Sequence, residues 1–352
     1  MIKFLKKKQT DNICIVKCGM TSPLGIDSKM TAAMIMAESK RFMTYDTLTD
    51  DMDKPVLYSK ATYIKDEDYL GRFKSLLTPA LFEVLEPLLT LNPKLKIYAG
   101  LPEKNENQPT NFASDIINTI SEIIQDSPIG AETEIYSRGH SSGLICLEKA
   151  ITTLRDENAE FCIVGGVDSY INRELLYELI YSRRMHSSLT KHGFIPGEAA
   201  GFFLLTTEKR AKFYKMPVMA RIKAVGSTME ENTFLSGKTC LGQGLSKVVA
   251  RVLQKIPKDI TIDKVYCDLS GERFRTEEYN YLLSRNAGLI EDPGSYITTS
   301  KNYGDVGAAT LPSLINLAVH HNEEKRTGLF FTGSDSGIRS AAIIEIEPLK
   351  ES

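Results

Sequence analysis

Cysteine is the residue type of this sequence with the most distinctive chemistry, because a thiolate can act as a nucleophile or a metal ligand. The six cysteines are Cys14, Cys18, Cys146, Cys162, Cys240 and Cys267. Most lie in apolar runs such as NICIVKC and EFCIVGG, where a free cysteine usually packs as a small, buried hydrophobic residue. Cys14 and Cys18 have no Cys or His pair nearby that would complete a zinc site. We therefore expect six reduced core thiols, as in a cytosolic protein.

The other groups that could do chemistry have ordinary local explanations. His186 and His192 flank the segment before GFIPGE, and we expect them in surface loops. His320 and His321 are expected at the end of a helix, where the helix dipole favours a cation. Arg275, in the charged run GERFRTEE, is expected on a solvated face. None of these positions by itself predicts an active site.

The bulk composition limits the classes of function. The chain has 352 residues, a hydrophobic fraction of 42%, a charged fraction of 25% and a net charge of −2. Such a chain is long enough for two domains or one large α/β unit. Its net charge is too small and of the wrong sign to attract nucleic acid. The Lys-rich start at Met1–Lys8 is interrupted at Asp11 and Asn12, which argues against a secretion signal. With no long apolar stretch, the sequence predicts no membrane span and a cytoplasmic protein.

Short apolar runs alternate with helical patterns along the chain. The helical patterns lie at Ala113–Gln125, Gly143–Leu154 and Leu245–Ile256. Unbroken apolar runs are typical of strands that are buried on both faces, and the alternation predicts an α/β fold. The predicted strands are Ile13–Lys17, Lys96–Gly100, Glu160–Gly165, Gly201–Thr206, Met219–Val225, Lys264–Leu269, Tyr296–Thr299, Leu329–Thr332 and Ala341–Ile346.

A weak internal repeat indicates two similar halves. CIVGGVDSY (Cys162–Tyr170) is similar to LFFTGSDSG (Leu329–Gly337), since each is an apolar run that ends in Gly and then Asp-Ser. Each follows a helix that opens with small residues, at Ser141–Gly143 and at Gly307–Ala309. We place the split near Thr207–Pro217.

The predicted halves are residues 1–208 and 209–352. Within the first half, residues 20–92 match no part of the repeat and include a Met-rich helical pattern at Met30–Met36. We interpret residues 20–92 as an insertion that caps one face.

Five segments, in order along the chain, resemble the motifs of β-ketoacyl synthases, which are condensing enzymes of the thiolase superfamily. The resemblance implies an α/β, thiolase-like five-layer αβαβα fold made of two similar halves, and a protein that is usually dimeric. The segments are IVKCGMTSPLG (Ile15–Gly25), RGHSSGLICLEKA (Arg138–Ala150), GFIPGEAAGFFLL (Gly193–Leu205), TSKNYGDVGAATLP (Thr299–Pro312) and GSDSGIRSAAIIE (Gly333–Glu345).

The resemblance also places three catalytic positions, and none of them holds the residue type of the family. The nucleophilic cysteine, which the family keeps at a helix N-terminus to lower its pKa, corresponds to His140. The first of the two further catalytic positions corresponds to Asp268 and the last to Asp305. Gly304 and Gly337 correspond to oxyanion or structural glycines. The resemblance implies no cofactor and no metal.

Three interpretations of His140, Asp268 and Asp305 stay open. They form a satisfied hydrogen-bond network in an inactive pocket, an acid–base site in which a His–Asp pair activates water, or a metal site of one His and two carboxylates. An acyl-imidazole hydrolyses readily, so His140 would be a poor substitute for a thiolate. The two carboxylates, if close, would favour a charged imidazole and would repel each other unless a cation lay between them.

The missing cysteine favours a divergent ketosynthase-like protein without condensing activity. In this hypothesis it is a partner or accessory subunit, like a chain-length factor or an accessory protein of a secretion locus. The alternative is an acyltransferase or acyl-thioester hydrolase that uses His140 with Asp268 and Asp305. The partners implied are an acyl carrier protein or acyl thioester, and a second ketosynthase-like chain or a second copy in a dimer.

Overall fold

The computed structural model describes residues 11–66, 68–125, 129–286, 288, 290, 292 and 294–348. The strands are β1 (Ile13–Thr21), β2 (Met43–Thr49), β3 (Pro55–Tyr58), β4 (Leu95–Leu101), β5 (Ala131–Ser137), β6 (Phe161–Ser169), β7 (Glu198–Thr207), β8 (Ala220–Met229), β9 (Lys264–Cys267), β10 (Tyr296–Ile297), β11 (Arg326–Gly333) and β12 (Ile338–Ile346). The α-helices are α1 (Ser28–Met36), α2 (Tyr69–Leu85), α3 (Phe112–Gln125), α4 (Ser142–Arg155), α5 (Arg173–Tyr181), α6 (Glu208–Phe213), α7 (Gln243–Leu253), α8 (Arg273–Arg285), α9 (Ser300–Tyr303) and α10 (Thr310–His320).

Ten of the strands form one sheet in two halves of matching order. The order is β10-β9-β11-β12-β8 in one half and β5-β4-β6-β7-β1 in the other, joined where β1 pairs with β8. Every parallel or antiparallel pairing in one half has its counterpart in the other. The strands of the first half therefore correspond one by one to those of the second, which explains the sequence repeat between β6 and β11.

Buried side chains divide the molecule into five layers. Helices α4 and α10 share one apolar cluster with strands of both halves, so they form the central layer. Helices α2 and α3 pack on the outer face of the first half. Helices α7 and α8 pack on the outer face of the second half. The predicted thiolase-like αβαβα fold of two similar halves is confirmed.

The two central helices begin in the same way. Gly139 before α4 and Gly307 before α10 have φ of 52° and 46°, and each opens a short 3₁₀ turn. Arg138 and Val306, which precede the two glycines, also have matching backbone angles. A side chain at position 307 would overlap Oδ2 of Asp168 at 2.0 Å, which fixes glycine there. This turn directs the residue after each glycine into the interface between the halves.

The predicted strands and helices are all present, but three strands were missed. Strands β2 and β3 form a separate two-stranded sheet, and β5 is an edge strand whose side chains alternate between partly buried and exposed. Within residues 20–92, α2 contributes Leu76 and Leu77 to the core. The halves 1–208 and 209–352 and the cap at 20–92 stay predictions. No helix in the described ranges is long and apolar enough to cross a membrane.

Candidate functional site

Three elements bring the predicted site residues to one place. His140 lies in the turn before α4, Asp305 lies between α9 and the turn before α10, and Asp268 directly follows β9. Because α4 and α10 begin side by side in the central layer, His140 and Asp305 meet across the interface of the halves. All three side chains are buried, and His140 is 6% exposed.

His140 and Asp305 form a direct pair. Nε2 of His140 lies 2.7 Å from Oδ1 of Asp305, and the same oxygen accepts from the backbone N–H of Gly307 at 2.9 Å. The backbone of Asp305 is fixed by hydrogen bonds to Ile195 and Gly197, each of 2.8 Å. The carboxylate is therefore held rigidly against the imidazole.

This pair shifts both pKa values in opposite directions. Burial lowers the pKa of His140, but the charge of Asp305 and the hydrogen bond to it raise the pKa more, and the net shift is upward. Burial raises the pKa of Asp305, but the His140 charge and hydrogen bond bring it well below its usual range. An opposite charge in direct contact outweighs desolvation here, so the pair favours imidazolium and carboxylate.

Arg275 lies at the centre of the site, although its charged neighbours in the sequence are typical of a solvated face. Its side chain is 5% exposed, so the predicted solvated position is wrong. Nη1 donates to Oδ2 of Asp268 at 2.8 Å and to the carbonyl of Gly333 at 2.6 Å. Nη2 lies 3.4 Å from Nδ1 of His140. Asp268 thus reaches His140 only through Arg275, and the cation expected between the two carboxylates is this guanidinium.

The contact between Arg275 and His140 bears on the protonation of the ring. A guanidinium nitrogen can only donate, so its contact with Nδ1 suits a neutral imidazole that accepts there. The distance of 3.4 Å makes it much weaker than the 2.7 Å contact with Asp305. The contact with Asp305 therefore dominates, and it favours the charged ring. On a charged ring Nδ1 carries a proton and cannot accept from Arg275, so the contact between Nε2 and Asp305 is the one that holds in both states.

A second set of charges surrounds Arg275. Arg184 donates from Nε to Glu272 at 2.8 Å and from Nη1 to Asp335 at 2.6 Å. Arg275 also faces Glu272 and Asp335, each at 3.4 Å. These contacts tie the start of α8 to the loop after β11. The loop is further held by Glu103, which accepts from the backbone N–H of Ser336 at 3.1 Å.

The two predicted glycines have backbone conformations that L side chains rarely adopt. Gly304 has φ of 78° and Gly337 has φ of 103°. Their N–H groups donate within turns, to Ser300 at 2.9 Å and to Ser334 at 3.1 Å. Because these donors are already used, the geometry fits the structural alternative better than an oxyanion hole.

The pocket that the described residues form at the site is small. A cavity of about 10 Å³ touches Asp268 and Arg275. Two larger surface pockets, of ≈ 460 and ≈ 790 Å³, are lined by neither His140, Asp268 nor Asp305.

Among the described residues, the site has no exposed thiol and no cluster of metal ligands. Cys146 lies inside α4 and Cys267 at the end of β9, both fully buried, and burial raises the pKa of both thiols. Cys240, in contrast with the expectation of six core thiols, is only partly buried. Across the described ranges, no three His, Cys, Asp or Glu side chains come together as metal ligands.

Comparisons with known proteins agree with this architecture. Residues 137–211 match the model of the beta-ketoacyl synthase N-terminal domain. A type II polyketide synthase acyl-carrier protein in complex with its ketosynthase bound to the hexaketide matches with a TM-score of 0.79 and 11% identity, over 96% of this chain and 100% of that chain. The search among curated protein sequences gave no match.

Two further solved structures have the same fold. The ketosynthase from module 6 of the bacillaene synthase of Bacillus subtilis 168 matches with a TM-score of 0.75 and 15% identity, over 96% of this chain and 72% of that chain. The ishigamide ketosynthase/chain length factor matches with a TM-score of 0.72 and 16% identity, over 96% and 99%. At these identities the likeness is one of fold.

Proposed function

Because the chain is a divergent protein of the thiolase-like ketosynthase fold, we propose that it acts without condensing activity, as a partner or accessory subunit of a ketosynthase-like chain. One observation carries this proposal. The residue at the position that the resemblance assigns to the nucleophile is His140, which is paired with Asp305 at 2.7 Å and lies buried beside the guanidinium of Arg275.

Condensation needs a group that accepts an acyl chain and stores it. A thiolate at a helix N-terminus does this, because the dipole lowers its pKa and the thioester survives in water. At the start of α4 the sequence is Arg-Gly-His-Ser-Ser, without a thiol. An acyl group on His140 would require the loss of the contact with Asp305 or Arg275 and would hydrolyse readily. The site is thus better suited to a structural role than to acyl transfer.

The alternative of an acyltransferase or acyl-thioester hydrolase has one supporting contact, the 2.7 Å pair of His140 and Asp305. A general base needs a free ring nitrogen that faces substrate or water. Nε2 faces Asp305, and Nδ1 faces Arg275, which would have to move away. We therefore rank this alternative second.

The edge strand β5 offers a surface for a partner chain of the same fold. It pairs on one side with β4 and has no strand on its other side among the described residues. Unpaired edge N–H and C=O groups can pair with a strand of another chain. Two of the similar structures are described as a ketosynthase with an acyl-carrier protein and as a ketosynthase/chain length factor. We extend to this chain a ketosynthase-like partner, or a second copy, and an acyl carrier protein.

The association can be tested with two neighbouring proline variants of β5, Thr133→Pro and Glu134→Pro. Successive N–H groups of a strand point to opposite sides, so one variant loses a donor to β4 and the other loses an outward donor. We expect light scattering to show that the wild-type chain is a dimer. The variant that loses its donor to β4 should have a lower melting temperature, and the variant that loses the outward donor should be a stable monomer. Two variants that both stay dimeric would exclude β5 as the interface.

The same preparation tests the hydrolase alternative. The protein is incubated with octanoyl-coenzyme A, and released coenzyme A is quantified by chromatography. We expect no release beyond that of His140→Ala. Release that His140→Ala abolishes would replace our proposal with the alternative.

A further inference from the structure

A pocket of ≈ 460 Å³ lies at the edge of the second half, away from His140. It is formed by the end of α1 and the loop after it, by β9 and β10, by α9 and by the end of α10.

The interior of this pocket is mostly apolar, and its buried polar lining consists of Thr298 and Asn302. Ile35, Tyr266 and Leu317 form its buried walls, Ile297 is partly buried, and Met36 is exposed at the opening. The Tyr266 ring is held in place by stacking on Phe330, so the wall that it forms is rigid. Burial of methylene groups against such walls is favourable.

The rim of the pocket is mainly basic. Lys40 and Lys301 are exposed there, against a single carboxylate, Glu38. Within the described ranges, neither lysine side chain makes a hydrogen bond or an ion pair, so both ammonium groups are available. An apolar interior with a cationic rim is complementary to a ligand that has an apolar chain and a negatively charged head.

We propose that this pocket binds an unbranched acyl chain that ends in a carboxylate. The chain lies against Ile35, Leu317 and Ile297, and the carboxylate faces Lys40 and Lys301. The volume falls in the range of about 300–1,000 Å³ that is usual for small-molecule sites. A small inorganic anion would leave the apolar walls unfilled. The site is independent of the proposed loss of condensing activity, because it shares no residue with the His140 network.

Calorimetric titration of the full chain with sodium octanoate, decanoate and dodecanoate, each below its micellar concentration, tests the proposal. We expect saturable binding of one molecule, with an affinity that rises roughly fourfold per added methylene until the pocket is filled. Decanol, which has the same chain without the charge, should bind more weakly.

Two lysine variants separate this pocket from its neighbour. Lys40→Gln, at the rim, should weaken decanoate binding by about two- to fivefold, the range of an exposed ion pair. Lys191→Gln, which changes only the ≈ 790 Å³ pocket, should leave it unchanged. The proposal is overturned by the absence of saturable decanoate binding, by decanol binding as tightly as decanoate, or by equal effects of the two variants. Both lysines are outside the core, so folding, checked by circular dichroism, should be preserved.

Discussion

Nη1 of Arg275 donates to Oδ2 of Asp268 over 2.8 Å, and both side chains are buried. This ion pair explains how two carboxylates, Asp268 and Asp305, can lie near one imidazole without repelling each other. Arg275 is also the only link between Asp268 and His140 that the described contacts provide. The stability of the site should therefore depend on Arg275.

Replacement of Arg275 by methionine should lower the free energy of unfolding by about 3–5 kcal/mol, because it leaves the buried Asp268 carboxylate without its ion-pair partner. The measurement is urea denaturation at neutral pH. Arg273→Met is the matched control on the same helix, where an exposed pair with Glu277 contributes about 0.5 kcal/mol or less. Equal, small losses in both variants would mean that the Arg275 network contributes little.

Asp168 should make the protein less stable as the pH rises. It is buried beside the turn before α10, accepts from the N–H of Ala308 at 2.9 Å, and burial raises its pKa from 3.8 to about 7. Folding raises the pKa of this carboxyl, so ionisation is harder in the folded state than in the unfolded state. The free energy of unfolding therefore falls as the pH rises from about 4 to 7, and it stays lower at higher pH. At pH 8, the free energy of unfolding of Asp168→Asn should exceed that of the wild type by roughly 2–4 kcal/mol.

The gain from Asp168→Asn should shrink as the pH falls toward 4, since the native carboxyl is then protonated. Denaturation curves at pH 4, 6 and 8 give this dependence. Asp156→Asn, at an exposed position after α4, is the control and should change stability little at any of these pH values. A gain at position 168 that does not vary with pH would contradict the raised pKa.

Thiol labelling of the native protein should reach Cys240 first. It is the partly buried cysteine, whereas Cys14, Cys18, Cys146, Cys162 and Cys267 are buried. Burial raises the pKa of Cys240 to about 12, so even this thiol should react slowly. Iodoacetamide labelling followed by peptide mass spectrometry measures the order. Fast labelling of Cys146 or Cys267 would reveal an accessible thiol near the site.

The Gly304→Ala variant should be destabilised by about 2 kcal/mol or more. Its positive φ is strained for alanine, and the added Cβ would lie 2.5 Å from the carbonyl oxygen of Ile195. Gly237 also has a positive φ but no neighbour within 4 Å, so Gly237→Ala should lose only about 1 kcal/mol. Thermal melting compares the two variants, since Gly304→Ala has both backbone strain and steric overlap, whereas Gly237→Ala has backbone strain alone. Equal losses would mean that Gly304 is not fixed by packing.

Much of the fold could be predicted from the sequence because the signals are local. Strands β6 and β7 are continuous apolar runs, and glycine motifs mark the turns at Gly139 and Gly307. Strand β5 was missed because it lies at an edge, where polar residues such as Glu132 and Glu134 alternate with partly buried ones. An edge strand needs no apolar run, so its pattern resembles a loop.

The candidate site could be predicted only in part. His140, Asp268 and Asp305 were placed by motif, and the structure brings them together. Arg275 was missed because its neighbours in sequence are charged and its partners, Asp268 excepted, are far along the chain. The one available signal was electrostatic, since two buried carboxylates beside a histidine require a cation.

His140 should not carry an acyl group. The most direct measurement is the intact mass of the protein after incubation with octanoyl-coenzyme A, with His140→Cys treated in parallel. We predict an unmodified mass for the wild-type chain. A mass increase of one octanoyl group that peptide mapping locates on His140 would contradict the account.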